Sequence, residues 1–82
     1  MILQSEISLY PLRTEKLSKP IEAFCRLLSE AGLKIKPGPM SSHIVGDSAV
    51  IFPALQQAFE HVADKNEVVM TLKISNACPK KC

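Results

Sequence analysis

The chain has no tryptophan, one tyrosine and three glycines among its 82 residues, and each scarcity argues against a class of protein. A sheet that binds RNA carries several aromatic rings on which bases stack, and a single tyrosine does not supply them. The low glycine content, together with 46% hydrophobic residues, argues against a disordered chain. A net charge of +2 is too small to indicate nucleic acid or an anionic membrane as a partner.

Long apolar runs are also missing from the sequence. None approaches the roughly 20 residues that a membrane-spanning helix needs. The first six residues lack the basic start and the apolar stretch of a signal peptide. A chain of this length holds one core, and domains of this size often gain stability by oligomerising. We therefore predict a single domain over residues 1–82, located in the cytoplasm.

Three cysteines cannot all pair within one chain. Cys25 lies among apolar residues of a predicted helix, where cysteine usually acts as a small hydrophobic side chain. Cys78 and Cys82 form a Cys-x3-Cys sequence without a second pair of metal ligands. Lys80 and Lys81, which lie between them, oppose the binding of a cation. We expect reduced thiols, and neither a metal nor a cofactor.

Four segments have the composition of β-strands: residues 5–10, 33–36, 41–45 and 67–75. In the first and the last of them, polar and apolar side chains alternate, which is typical of a strand with one buried face. Pro11 is expected to end the first strand, because proline lacks the amide hydrogen that a sheet requires.

Two segments between the strands have helical spacing of their apolar residues. Ser18 is placed to begin the first helix and Gly32 to stop it. Residues 46–48 resemble a turn that supplies the cap of the second helix. Because Pro53 lacks a backbone donor, that helix either begins near Phe52 or has an irregular first turn.

The resulting order, β-α-β-β-α-β, is that of the ferredoxin-like fold. We predict an α+β sandwich, a four-stranded antiparallel sheet with two helices on one face. The helices are expected to cover the apolar side of the sheet, formed by Ile7, Leu9, Ile35, Met70, Leu72 and Ile74. The uncovered side would carry Glu6, Ser8, Tyr10, Lys34, Lys36, Thr71, Lys73 and Ser75, a mixed surface for a ligand or a second subunit.

The polar side chains near the strand ends form the candidate site. Tyr10 can stack on a planar heterocycle and offer its hydroxyl, or it is an ordinary tyrosine at the rim of a sheet. Ser42 and Asp47 suit the donor and acceptor edges of an aminopyrimidine, although Asp47 can equally serve only as a helix cap. His43 and His61 have no Ser or Cys partner at a recognisable spacing, which disfavours nucleophilic catalysis.

Six short motifs follow one another along the chain: Ser-Leu-Tyr-Pro at residues 8–11, Ser-Ser at 41–42, Gly-Asp at 46–47, Val-Ile-Phe at 50–52, Val-Val-Met at 68–70 and Ser-Asn-Ala-Cys-Pro at 75–79. As an ordered set they resemble the YkoF family of thiamine- and hydroxymethylpyrimidine-binding proteins, from about residue 6 to residue 79. The resemblance implies ferredoxin-like domains that bind the aminopyrimidine part of thiamine and associate through their sheets. YkoF itself has two such domains in tandem, so we expect this single domain to form a homo-oligomer.

The resemblance implies a ligand site at the polar positions that match the family motifs: Ser8, Tyr10, Ser42, Asp47, Ser75 and Asn76. Tyr10 would pack on the pyrimidine, the serines and the asparagine would meet its nitrogens and amine, and Asp47 would lie near the amine or the thiazolium charge. We predict a non-catalytic binder of thiamine or hydroxymethylpyrimidine in vitamin B1 transport or salvage. It would act as a dimer or tetramer through the sheet face, with no nucleic-acid or membrane partner. The alternative is a structural or regulatory oligomerisation module without a small-molecule ligand.

Overall fold

A computed structural model describes residues 1–13, 18–38 and 41–77 of the chain. The elements follow in the order β1 (Ile2–Leu12), α1 (Ser18–Glu30), β2 (Lys34–Pro37), β3 (Ser42–Asp47), α2 (Ser48–Ala63) and β4 (Glu67–Ser75). The predicted β-α-β-β-α-β order is confirmed, and β4 has the predicted bounds. The predictions for Cys78 and Cys82 concern residues outside the described ranges.

The four strands form one antiparallel sheet in the order β2-β3-β1-β4. β1 pairs with β3 over residues 2–7 and with β4 over residues 4–12. β1 therefore has a paired strand on both sides only over residues 4–7. β2 and β4 are the two edges of the sheet. The predicted four-stranded antiparallel sheet is confirmed.

Pro11 does not end β1, and that prediction is wrong. The strand continues to Leu12, with Pro11 opposite Val68 of β4. Beyond Ile7 the described part of β1 pairs only with β4. On the other side of β1, no described strand requires the amide hydrogen that proline lacks. Arg13 follows with a positive φ of 55°, and its guanidinium forms an ion pair with Glu67 at the start of β4.

α1 ends as the glycine predicts. Gly32 has φ = 94°, the left-handed conformation that glycine adopts without steric cost. The amide of Gly32 donates to the Ser29 carbonyl at 3.0 Å, and the amide of Leu33 donates to the Leu28 carbonyl at 3.3 Å. These two bonds form a Schellman motif, which satisfies carbonyls that a helix end leaves unpaired and turns the chain into β2.

α2 begins earlier than one of the two predicted alternatives. It starts at Ser48 with Asp47 as its cap, so a start near Phe52 is wrong. Pro53 is the sixth residue of the helix and removes the amide that would donate to the Ala49 carbonyl. Neither described helix has the length and apolar character needed to cross a membrane.

The buried core lies between the two helices and the central strands, and consists of Leu3, Ile7, Phe24, Leu28, Leu33, Ile44, Ile51, Ala54, Leu55, Ala58 and Val62. The prediction that the helices cover Leu72 and Ile74 is wrong. Both share the helix side of the sheet with Ile7 and Ser5, but they are 37% and 39% exposed. The buried residues come from β1, β3, the helices and the turn before β2. None comes from β4, whose Val68 and Met70 are half-buried against this core.

The opposite side of the sheet carries the residues predicted for it. The strand registers place Lys34, Lys36, Glu6, Ser8, Tyr10, Thr71, Lys73 and Ser75 on this face. Neither helix covers the face. Tyr10 lies opposite Val69, and the two side chains are 48% and 45% exposed.

Candidate functional site

A cleft of about 290 Å³ lies beside α1 at the edge of β1, where the described part of β3 no longer pairs with it, so residues from both faces of β1 line the cleft. We call it the α1 cleft. Its lining consists of Ile7, Ser8, Leu9, Tyr10, Ile21, Phe24, Cys25, Gly38, Ser41 and Ser42. The volume is close to the lower end of the range for small-molecule sites, about 300 Å³. An apolar floor with a few polar groups is also the usual composition of such sites.

The floor of the α1 cleft comes from the core, and its polar groups come from the strand ends. Ile7 and Phe24 are each 2% exposed, so they are held rigidly by the surrounding packing. Ser42 is half-buried opposite Ile7 at the first position of β3. Its hydroxyl oxygen lies 4.0 Å from the Cys25 sulfur on α1, so a hydroxyl and a thiol share one wall.

A close approach of the backbone shapes the rim of the α1 cleft. The Gly38 amide donates to the Ser41 carbonyl at 2.8 Å, which joins the end of β2 to the start of β3. A Cβ atom at Gly38 would lie only 2.7 Å from that carbonyl oxygen. Glycine is therefore required for this spacing, and it keeps Ser41 and Ser42 beside the cleft.

The α1 cleft brings together three of the six predicted site residues: Ser8, Tyr10 and Ser42. The other three lie at the opposite end of the sheet. Asp47 pairs with Ile2, and Ser75 pairs with Gln4. From Gln4 to Tyr10 the strand spans about 20 Å at about 3.3 Å per residue. A single copy of the chain thus does not assemble the six residues into one site.

Asp47 has a structural role in this arrangement. One carboxylate oxygen accepts from the Ala49 amide at 2.9 Å, and the other lies 3.2 Å from the amino group of Met1. The hydrogen bond from Ala49 and the neighbouring positive charge lower the pKa of the Asp47 carboxyl below its ordinary value. The group therefore stays ionised and caps α2, the role that the sequence left open beside ligand binding.

Ser75 and Asn76 lie near a different groove. The Ser75 hydroxyl accepts a hydrogen bond from the Ala77 amide at 2.9 Å. Both residues border a largely apolar groove of about 440 Å³ between the start of α2 and β4, with Phe52 and Ile74 in its wall. This surface has few polar groups with which to recognise a pyrimidine.

Among the cleft residues that the sequence did not reveal are the three from α1: Ile21, Phe24 and Cys25. Helical spacing places Ile21 and Cys25 four residues apart on one side of α1, a pattern that is read as core. Cys25 is only half-buried and Ile21 is 37% exposed, because this side of α1 extends beyond the packed core. A period of 3.6 residues identifies the side of the helix that faces the sheet. It does not show which residues on that side lack a strand packed against them.

Comparison with known proteins connects this fold to a family. The model of the YkoF-related family matches residues 2–81. No protein with curated annotation matches the chain in sequence.

Three solved structures share the fold over nearly the whole chain. A hypothetical protein from Methanocaldococcus jannascii is 26% identical, with a TM-score of 0.84 over 96% of this chain and 84% of its own. A putative thiamine biosynthesis/salvage protein from Thermotoga maritima is 18% identical, with a TM-score of 0.81 over 92% and 83%. A protein from Streptococcus pneumoniae is 16% identical, with a TM-score of 0.86 over 95% and 89%. The family model covers almost every residue of the chain, which therefore belongs to the YkoF-related family.

Proposed function

We propose that this protein binds a thiamine-related ligand without catalysis, with the hydroxymethylpyrimidine ring in the α1 cleft. The observation that carries the proposal is the cleft itself, which unites Ser8, Tyr10 and Ser42 over a floor of Ile7 and Phe24. Membership of the YkoF-related family and the fold shared with the Thermotoga maritima protein support a role in vitamin B1 transport or salvage.

The lining of the α1 cleft suits a neutral aromatic ring. None of the described residues that line it is charged, so they offer no counterion for a cationic thiazolium. Apolar side chains can cover the faces of the pyrimidine, while the Ser42 hydroxyl can both donate and accept at its edge. Since the cleft is small, we place only the pyrimidine inside it, and the thiazolium of thiamine would lie towards solvent.

We further propose that the protein acts as a dimer or tetramer through the uncovered face of its sheet. Tyr10, Leu12 and Val69 share that face and are 48%, 44% and 45% exposed. Contact between two such faces would bury this apolar group. Asp47, Ser75 and Asn76 would then meet the ligand only if a second copy carries them to the α1 cleft of the first.

The same exposed residues also favour a second candidate, a structural or regulatory oligomerisation module with no small-molecule ligand. The two functions differ in what the α1 cleft does. A binder needs the cleft to be occupied, and a module needs only the sheet face. In both, we expect no turnover and no bound cofactor.

Calorimetric titration with hydroxymethylpyrimidine and with thiamine tests the proposal. We expect saturable binding of both, with Kd in the micromolar range or tighter, about −8 kcal/mol. Ser42→Ala should weaken binding about fivefold or more, because it removes one hydrogen-bonding group from the cleft. Ser75→Ala is the matched control, the same substitution about 20 Å away along the sheet.

The possible results separate the alternatives. Equal loss of affinity in both serine variants would show that the site includes the other end of the sheet, from a second copy. Binding of thiamine but not of hydroxymethylpyrimidine would place recognition at the thiazolium and contradict the assignment. The absence of heat with either compound, from a folded oligomer, would favour the oligomerisation module.

A further inference from the structure

A groove of about 340 Å³ lies where α1 begins and α2 ends, and we call it the basic groove. Its lining consists of Lys19, Pro20, Ala23, His61, Val62, Lys65 and Asn66. Three of these residues are basic, and none of the described residues in the lining is acidic. They come from α1, from α2 and from the turn before β4, so it is the fold that brings the basic side chains together.

The floor of the basic groove is apolar and is fixed by packing. Pro20 is buried, and Val62 is 2% exposed and belongs to the core. The Asn66 side chain donates to the Val62 carbonyl at 3.0 Å, which holds the turn after α2 beside the groove. The basic residues are exposed at the rim. The groove therefore offers positive charge above a small apolar surface.

The described part of the chain does not balance this charge. Within it, no carboxylate forms an ion pair with any of the three basic side chains of the groove. Two acidic residues follow α2 closely in sequence. Asp64 does not line the groove, and Glu67 forms its ion pair with Arg13. The basic side chains are therefore available to an anion from solution.

Lys19 is placed against the usual charge preference of a helix. It lies in the first turn of α1, which contains no acidic residue. The amide groups of a first turn give that end of a helix a partial positive charge, so a carboxylate stabilises it and a lysine does not. His61, by contrast, lies in the last turn of α2, where a basic side chain is favourable. Stability of the chain accounts for His61 but not for Lys19, whereas an anion in the groove accounts for both.

We infer that the basic groove binds a phosphate group, with the ammonium groups of Lys19 and Lys65 as its counterions. Ammonium groups form charge-assisted hydrogen bonds with phosphate oxygens. His61 adds a donor, because an imidazole ring carries at least one N–H in either protonation state. Pro20 and Val62 would contact the organic part of a phosphate ester. The ligand class is a phosphate group, either free or esterified to a small molecule.

The basic groove is separate from the α1 cleft. Residues 19, 20 and 23 of α1 line the groove, and residues 21, 24 and 25 line the cleft. At 3.6 residues per turn these two sets lie on opposite sides of the helix. The inference therefore does not depend on a thiamine-related ligand in the cleft, and the two sites can be tested one at a time.

Amide NMR spectra of the nitrogen-15-labelled chain, titrated with inorganic phosphate and with phenyl phosphate, test this inference. We expect saturable shifts of the Lys19, Ala23 and Lys65 amides, with a dissociation constant for inorganic phosphate of about 1 mM. Phenyl phosphate should bind about threefold more tightly, because its ring can cover the apolar floor. Tighter binding of phenyl phosphate would make the natural ligand an ester and equal affinity would make it free phosphate, and both results support the site.

Lysine variants connect the binding to the groove. Lys19→Gln and Lys65→Gln should each weaken phosphate binding about fivefold or more, since each removes a charge-assisted hydrogen bond. Lys65→Arg should retain most of the affinity. Lys34→Gln is the matched control, the same substitution at an exposed lysine of β2 outside the groove. Without phosphate, Lys19→Gln should melt about 2 °C higher than the wild type, because it removes a positive charge from the first turn of α1.

Three results would overturn the inference. The first is the absence of saturable shifts in the groove amides up to about 20 mM phosphate, twenty times the expected dissociation constant. The second is an equal loss of affinity in Lys34→Gln and Lys19→Gln, which would show general charge screening. The third is unchanged affinity in both Lys19→Gln and Lys65→Gln, with circular dichroism showing that both variants are folded.

Discussion

The two edges of the sheet differ in how well they are protected. β2 has four residues, two of them lysines and one a proline, Lys34, Lys36 and Pro37. β4 has nine residues and a single lysine after its first position. Short length, lysine and proline are the features by which proteins prevent edge-to-edge association. The sequence therefore protects the β2 edge and leaves the β4 edge without these features.

The difference extends to the side chains that the edges turn towards the helices. Ile35 of β2 is half-buried and packs against the core. Leu72 of β4 occupies the same side of the sheet at the other edge, but remains 37% exposed. Burial of Ile35 stabilises the single chain, whereas Leu72 has surface left for a partner.

The largest expected effect comes from removing each of these side chains in turn. Ile35→Ala should lower the free energy of unfolding by about 2 kcal/mol, the low end for a buried isoleucine. Leu72→Ala should lower it by about half as much, because part of its surface is already in water. Urea unfolding at a concentration where the chain is monomeric measures both. Equal losses would contradict the assigned difference between the edges.

A smaller effect is expected at the start of α2, far from either outer edge. Asp47→Ala should lower the melting temperature by about 4 °C, since it removes the acceptor for the Ala49 amide. Asp47→Asn should lower it less, because asparagine is also a good cap. Differential scanning calorimetry distinguishes the two. A full loss in both variants would show that the charge, rather than the cap, stabilises the helix.

The smallest effect is the pH dependence of the same group. The folded chain holds the pKa of Asp47 below its ordinary value, so its ionised form stabilises the protein at pH values above about 4, the ordinary value for aspartate. That contribution is lost as the pH falls through the lowered pKa. Melting temperatures of the wild type and Asp47→Asn should therefore converge between pH 5 and pH 2. A constant difference across that range would be inconsistent with the lowered pKa.

The sequence predicted the fold well because the repeating patterns were local. Alternation over residues 67–75 defined β4, and Gly32 marked the left-handed end of α1. Pro11 was misleading for a reason outside its own strand. Whether a proline is tolerated in a strand depends on which sides of that strand are paired, and this follows from the order β2-β3-β1-β4.

The candidate site was less predictable from the sequence. Ser8, Tyr10 and Ser42 were placed together, but Asp47, Ser75 and Asn76 share only the property of lying at strand ends. Strands that are neighbours in an antiparallel sheet end on opposite sides of the molecule, so β3 and β4 both end far from the end of β1. The burial of Leu72 and Ile74 was overestimated because alternation defines a side of the sheet, not the area that two helices cover.

The extension of β1 beyond β3 has a consequence for cooperativity. From Ser8 to Leu12 the described strand pairs with β4 alone, so this part of the sheet is a two-stranded ribbon joined at its tip by Arg13 and Glu67. Such a ribbon has little stability of its own, so it should open locally at a lower free energy than the four-stranded part. Leu9 and Tyr10 belong to it and also line the α1 cleft. One wall of the cleft can therefore move while the core stays folded.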